Sequence, residues 1–337
     1  MIHYLKPLKI EKRTGSKNSN KGAIDLNVLD TFLERDISIV KELHKTRYMT
    51  IEMIKDLFWP DSKTIRTAQI RMKKLTELQL VRSFPIPTNS TGRKPLIYAP
   101  GKLGAFILNR DYAIPQKSVN YLPNNREQNG GWLQHYLSGV GAYIIVKTAC
   151  AHNPNIDLTL WEYESAFLTK NSYDRVEIEY KGKKQKMGVQ PDSHFILKIQ
   201  SHNHQNQPVT RQPHLFPEYD FANVTHEPST DESLSMVKKM LARQAWFNDK
   251  CSTITKEGKT RAVSLFEKRY QVSAARILWI TTGEVRMQAM INTAENMDVP
   301  NKHYNWFTTF DLFTPENILT GKIWRVATKE GLYSLTW

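Results

Sequence analysis

Three features of the sequence predict a mixed α/β chain built as two domains. Apolar residues recur at helical threes and fours from Leu26 to Leu78, and two short β-rich runs follow. A segment rich in Pro, Asn and Gly over 113–130 interrupts all periodicity. Beyond it, strand-like and helix-like stretches alternate, the pattern of an α/β or α+β domain. With 337 residues, 40% hydrophobic and 24% charged, the chain can fill two cores. The predicted boundaries are a basic tail over 1–22, a first domain over 23–112, a linker over 113–130 and a second domain over 131–337.

In the first domain, Leu29, Phe32, Leu33, Ile37, Val40 and Leu43 outline a long first helix. Thr50 stands where an N-cap belongs, before Ile51–Phe58, and Pro60 closes that short second helix. Asp61 or Ser62 is placed to cap a third, whose inward stripe is Ile65, Ala68, Met72, Leu75 and Leu78. Its opposite face carries Lys63, Arg66, Thr67, Ile70, Arg71 and Lys74. Leu80–Phe84 and Leu96–Ala99 read as strands around a loop holding Arg93 and Lys94. Three helices and a two-stranded ribbon make a winged helix-turn-helix. Such a module presents its last helix to the major groove, where Arg66, Thr67 and Arg71 would meet bases, with Arg93 and Lys94 on phosphates.

In the second domain, Trp132–Val146 reads as a helix containing His135, and Trp161–Leu168 follows a loop. Met187–Leu197 and His214–Asp220 read as strands joined by a polar hairpin tip over 201–212. Ser229 with Glu232 forms a capping box opening a helix with Lys238, Lys239, Arg243 and Trp246. Arg276–Thr281 is a buried strand, and Glu284–Ile291 a helix.

Lys plus Arg outnumber Asp plus Glu by 47 to 33, a formal net charge of +14 that favours a polyanionic partner. The first ten residues lack the apolar core of a signal peptide, and no run is long enough to span a bilayer. The sequence therefore predicts a cytoplasmic protein without membrane insertion. Two cysteines, Cys150 and Cys251, lie far apart and indicate neither a disulfide framework nor a zinc site. His202 and His204 sit in a polar loop and read as solvated.

Against this basic background, Pro191-Asp192 and Glu218-Tyr219-Asp220 stand out as acids in apolar, strand-like surroundings. Strand alternation puts Glu218 and Asp220 on one face. Asp192, Glu218 and Asp220 are candidate ligands for Mg²⁺ or Mn²⁺, because hard cations take carboxylate oxygens and promote phosphodiester chemistry. Glu164 is a fourth candidate acid, and Lys239 a group to orient water or neutralise a phosphate. Each has a bland counterpart: Pro-Asp is a common turn, Glu-x-Asp an ordinary alternation, and Lys239 one more surface lysine. Their order raises the set.

That order, with His135 in Leu-Gln-His-Tyr-Leu, Glu164 in Trp-Glu-Tyr-Glu, and Arg286 after Arg276-Ile-Leu-Trp-Ile-Thr, resembles the replication-relaxation family of mobile elements and related metal-dependent conjugative relaxases. The family is similar to a divergent PD-(D/E)-x-K nuclease, so the resemblance implies a restriction-endonuclease-like mixed sheet over 131–337. It implies an origin-binding nickase or relaxase of a plasmid or integrative element, using Mg²⁺ or Mn²⁺. DNA, as duplex origin and nicked or single strand, would be the partner, with accessory mobilisation or replication proteins. Asp192, Glu218, Asp220, Lys239, Glu164 and His135 would form its catalytic set, with water as the default nucleophile and Tyr136 or Tyr219, as in relaxases that attack with a tyrosine, as the open alternative. Three departures stand in the pattern. Asp220 occupies the place of the superfamily's lysine, Arg243 that of an aromatic residue often found in relatives, and Pro217 removes a ladder donor just before Glu218. These leave two alternatives open: a non-catalytic initiator or regulator with a degenerate nuclease fold, and a restriction- or transposon-type endonuclease.

Overall fold

The computed structural model describes residues 32–86, 95–119, 130–163, 173–221, 235–254 and 260–336. The basic tail, Leu26 and Leu29, the loop lysine and arginine Lys94 and Arg93, Glu164, and the Ser229/Glu232 capping box lie outside the described residues. The chain divides into two compact units, 1–144 and 145–337.

In the first unit the helices are α1 (Glu34–Thr46), α2 (Ile51–Phe58) and α3 (Arg66–Glu77). Thr50 caps α2 as the sequence indicates, its hydroxyl accepting from the Met53 N–H at 3.4 Å. Helix α3 starts later than Asp61 or Ser62 would set it, with Ile65 at the N-cap and no side-chain cap. Ser62 instead donates its hydroxyl to the Thr64 carbonyl at 2.8 Å, closing a local turn. Strands β2 (Val81–Pro85) and β3 (Leu96–Pro100) pair antiparallel. A two-residue strand β1 (Met49–Thr50), too short to carry an alternation signal, adds to β3 and makes the sheet three-stranded.

Helix α4 (Lys102–Tyr112) follows β3 directly and was not legible as a separate element. Its Gly104 packs so closely that an added Cβ would lie 2.4 Å from the Leu80 carbonyl oxygen. The chain then enters α5 (Gly130–Ala151), longer than the Trp132–Val146 reading. The start of α5 belongs to the first unit because Tyr136 donates to the Thr46 carbonyl at 3.1 Å and Tyr143 to Glu42.

The second unit is a seven-stranded mixed sheet with helices and two separate hairpins. Its strands are β4 (Ile156–Tyr163), β7 (Ser193–His202), β8 (Pro208–Arg211), β9 (His214–Asp220), β12 (Arg276–Thr281), β13 (Asn305–Thr309) and β14 (Arg325–Val326). The order is β14-β13-β12-β9-β7-β4, with β8 also on β7. Strands β9, β12 and β13 run parallel, while β4, β7 and β14 pair antiparallel with their neighbours. The parallel strands are connected through α6 (Met236–Asn248), α7 (Leu265–Tyr270) and α8 (Glu284–Asn296). These helices cover one face of the sheet, where Phe216, Ile277, Trp279 and Phe307 meet Met240, Trp246, Phe266 and Met290.

The strand read over Met187–Leu197 is in fact two. Strand β6 (Lys183–Val189) pairs with β5 (Asp174–Tyr180) in a separate hairpin, and β7 opens only at Ser193. Pro191 separates them, since it has no N–H for a ladder and restricts the residue before it. Pro217, by contrast, is accommodated inside β9: pairing with β7 involves only His214 and Leu215, while the β12 ladder runs unbroken from Leu215 to Asp220. The other hairpin joins β10 (Lys250–Ile254) to β11 (Thr260–Ser264). Among the described residues no helix is long and apolar enough to cross a membrane.

Candidate functional site

Alternation along β9 aims His214, Phe216, Glu218 and Asp220 at the helix-covered face. The last two stand at the carboxyl end of β9, which runs parallel to β12, the end at which open α/β sheets build ligand crevices. Thr281, in register with Asp220, brings the end of β12 to the same place.

Glu218 is 2% exposed. The guanidinium of Arg243, on α6, closes on its Oε1 at 2.6 Å through Nε, and Arg243 also donates to the Gln190 carbonyl at 2.7 Å. The other carboxylate oxygen, Oε2, is buried and has no hydrogen-bond partner. Burial pushes the Glu218 carboxyl up to about 7; Arg243 and Lys239 oppose the rise and Asp192 adds to it. Those influences identify Asp192 and Lys239 as electrostatic neighbours of Glu218. Asp192 sits in the break between β6 and β7, half-buried, and its Oδ2 accepts the Tyr219 N–H at 2.8 Å. Lys239 lies half-buried in the first turn of α6, whose N-cap is Ser235, with Oγ accepting the Lys238 N–H at 3.3 Å.

Asp220 is engaged differently. Its Oδ2 accepts from Thr281 Oγ1 at 2.7 Å and from Arg286 Nε, while its Oδ1 accepts from Arg286 Nη2 at 2.9 Å. Both oxygens are therefore taken, and the Glu-x-Asp pair does not act as one ligand set: Asp220 is tied to α8 and Glu218 to α6. Among the described residues, no three His, Cys, Asp or Glu side chains are grouped to hold a metal ion. Tyr219 is buried on the opposite face, where its hydroxyl bonds to Ser193 at 3.3 Å, and burial raises its pKa. A tyrosine so enclosed is a core residue rather than an attacking group.

A second polar line, unread in the sequence, crosses the same face. His194 is 1% exposed; its Nδ1 lies 2.8 Å from Glu162 Oε2 and its Nε2 lies 3.2 Å from His214 Nδ1. The His194 ring stacks on Phe216 with centroids 4.4 Å apart. The hydrogen bond from His194 holds the Glu162 carboxyl below its ordinary range, and burial with neighbouring His194 drives His214 down to about 4. The available signal was parity, since His194 lies two residues after Asp192 and His214 four before Glu218.

In the first unit, Lys63, Arg66, Thr67 and Lys74 are exposed on or beside α3. Arg71 is already engaged. Its Nε donates to Asp36 Oδ1 at 2.8 Å and its Nη2 to Asp36 Oδ2, and Asp36 also accepts the Leu33 N–H at 2.7 Å. Asp36 has no exposure, so this pair locks α1 to α3. His135 lies half-buried on the part of α5 that belongs to the first unit. Cys150 and Cys251 are free and half-buried.

An α/β protein with a basic helix in one unit and buried acids at strand ends in the other is the class that these features define. The family model described as Replication-relaxation matches residues 40–246, and the chain belongs to that family. The matched span runs from α1 into α6 and includes Asp192, Glu218, Lys239 and Arg243, while Arg286 lies beyond it. No curated protein and no solved structure matches the chain. Family membership suggests a role in replication or mobilisation of a plasmid or other element, and interaction with DNA.

Proposed function

We propose that this chain binds a duplex origin through α3, as a winged helix does, and nicks one strand at a site made by Asp192, Glu218 and Lys239. The carrying observation is Glu218 Oε2, a fully buried carboxylate oxygen left without a partner. Such an oxygen costs about 1–3 kcal/mol or more unless something occupies it. Magnesium is commonly held by one or two carboxylates and completes its shell with water and phosphate. Asp192 and Glu218 fit that requirement for Mg²⁺ or Mn²⁺; Asp220, with both oxygens occupied, does not.

When bound, a divalent cation supplies charge neutralisation and Lewis acidity to phosphodiester cleavage. The chain's own residues do the rest. Arg243 fixes Glu218 by Oε1 and so aims Oε2. Glu218, raised to about 7 by burial, would give up its carboxyl proton on taking a cation. Lys239 offers a positive charge to a phosphate oxygen or to a developing negative charge. Ser235 anchors the turn that carries it.

A supercoiled plasmid bearing the element's own origin, incubated with the protein and Mn²⁺, should become open circular. Asp192→Asn and Glu218→Gln should each lower the nicking rate about 100-fold or more while duplex affinity stays within about twofold. Glutamine retains an oxygen to accept the Arg243 hydrogen bond, so the variant removes the negative charge while keeping that contact. Linear product, or full nicking by both variants, would contradict the reading.

A second reading is favoured by a specific observation. Arg243 on Glu218 and Arg286 on Asp220 resemble internal replacements for a cation's charge, as in a non-catalytic initiator that retains the sheet for binding. It predicts tight origin binding by the wild-type protein and plasmid that stays supercoiled with Mn²⁺.

A further inference from the structure

Ile70 is 63% exposed, in the middle of the basic helix α3. It lies four residues after Arg66 and three after Thr67, so the three side chains share one face. It also lines both depressions that flank α3. One, about 650 Å³, includes Glu52, Lys73, Ser83 and Tyr98; the other, about 340 Å³, includes Leu33, Trp59, Arg71 and Lys74. Ile70 therefore stands on the crest of the helix between two hollows.

Arg71 cannot join that crest, because leaving Asp36 would strand a carboxylate with no exposure. The crest consists of Arg66, Thr67 and Ile70, with Lys73 and Lys74 beside it; all five are exposed. The first turn of α3 has no acidic residue, which leaves its positive end unopposed. A β-branched residue contributes little to helix propensity in water. An apolar crest framed by cations fits a surface that is apolar at its centre and anionic at its rims.

The major groove of B-DNA presents such a surface where thymines line its floor. Phosphates line its edges, and the thymine 5-methyl is the apolar group that a base edge presents there. Resting on the reading that α3 faces DNA, we infer that Ile70, with the Thr67 methyl beside it, packs on thymine methyl groups and makes the recognised site depend on A·T pairs at its centre. Arg66 then serves a guanine edge or a phosphate one turn earlier, and Lys73 and Lys74 serve the flanking backbones.

The test uses duplex fragments that tile the element encoding this chain, each amplified once with thymidine and once with deoxyuridine triphosphate. Uracil pairs as thymine does and lacks only the methyl. Binding of the full chain is measured by fluorescence anisotropy at one fixed salt concentration. Wild-type protein should bind the tightest thymine fragment better than its uracil twin by about fourfold per methyl touched. Ile70→Ala should lose much of that preference, since only the Thr67 methyl and the alanine methyl remain, and Ile70→Val should fall between. Equal wild-type affinity for the twins, or a preference undiminished in Ile70→Ala, overturns the inference while leaving DNA binding by the protein intact. Absence of binding to every fragment overturns the DNA-binding reading itself, and this inference with it. If Ile70→Ala instead converts an oligomer to monomer in sedimentation and the twins bind alike, the crest is an interface between copies and the inference fails.

Discussion

At the scale of single residues, charge placement in this protein is governed by what burial permits. Asp36, Glu218 and Asp220 are all buried, and each is met by an arginine: Arg71, Arg243 and Arg286. Asp220 and Asp36 have every oxygen answered, whereas Glu218 has one. That asymmetry distinguishes a candidate site from two structural ion pairs. The line from Glu162 through His194 to His214 has a different consequence. His214 has its folded pKa near 4, against an ordinary value of 6.5, so the unfolded chain takes up a proton that the folded chain refuses. Stability contributed by neutral His214 is intact above about pH 6.5 and is lost as pH falls towards 4. Glu162, also held low, acts in the same direction below the ordinary carboxylate range. The urea midpoint should drop between pH 7 and pH 4.5, and His214→Gln should drop less. An equal drop in both proteins would remove His214 from the explanation.

At the scale of elements, legibility followed the length and purity of the pattern. Helix α2 could be read from its Thr50 cap, α3 from its inward apolar stripe and strand β12 from an unbroken apolar run. Strand β1, at two residues, carries no period, and α4 follows β3 directly, with glycines at 101 and 104 interrupting its helical pattern. Those glycines allow close packing: a Cβ at Gly104 would meet the Leu80 carbonyl oxygen at 2.4 Å. Gly104→Ala raises helix propensity by about 1 kcal/mol, yet the clash should make it destabilising by about 1–3 kcal/mol net, read as a lower melting temperature. A higher melting temperature would show that α4 can move away from Leu80. The candidate site was half-legible for a related reason. Asp192, Glu218 and Lys239 stand out as candidates by their order, but pairing partners such as Arg71–Asp36 and Arg286–Asp220 join residues 35 and 66 positions apart, which no local pattern reveals.

At the scale of the whole molecule, a net charge of +14 suits a polyanion, but charge on the sequence is not charge on the surface. Arg71, Arg243 and Arg286 are committed to internal carboxylates, so the cations presented by α3 are Arg66, Lys73 and Lys74. Replacing Arg66 and Lys74 together by alanine should weaken binding to origin duplex and lower the slope of log K against log salt by about 0.9 for each phosphate no longer neutralised. An unchanged slope would place the phosphate-binding cations elsewhere than on α3. The central claim, however, concerns what the second unit does to DNA once it is bound, and plasmid topology measures that directly. Supercoiled DNA carrying the element's origin, given wild-type protein and Mn²⁺, should become open circular, and Glu218→Gln should leave it supercoiled while binding it equally well. Plasmid that stays supercoiled with the wild-type protein, under conditions where binding is demonstrated, would contradict the account and leave an origin-binding protein whose acids serve only its fold.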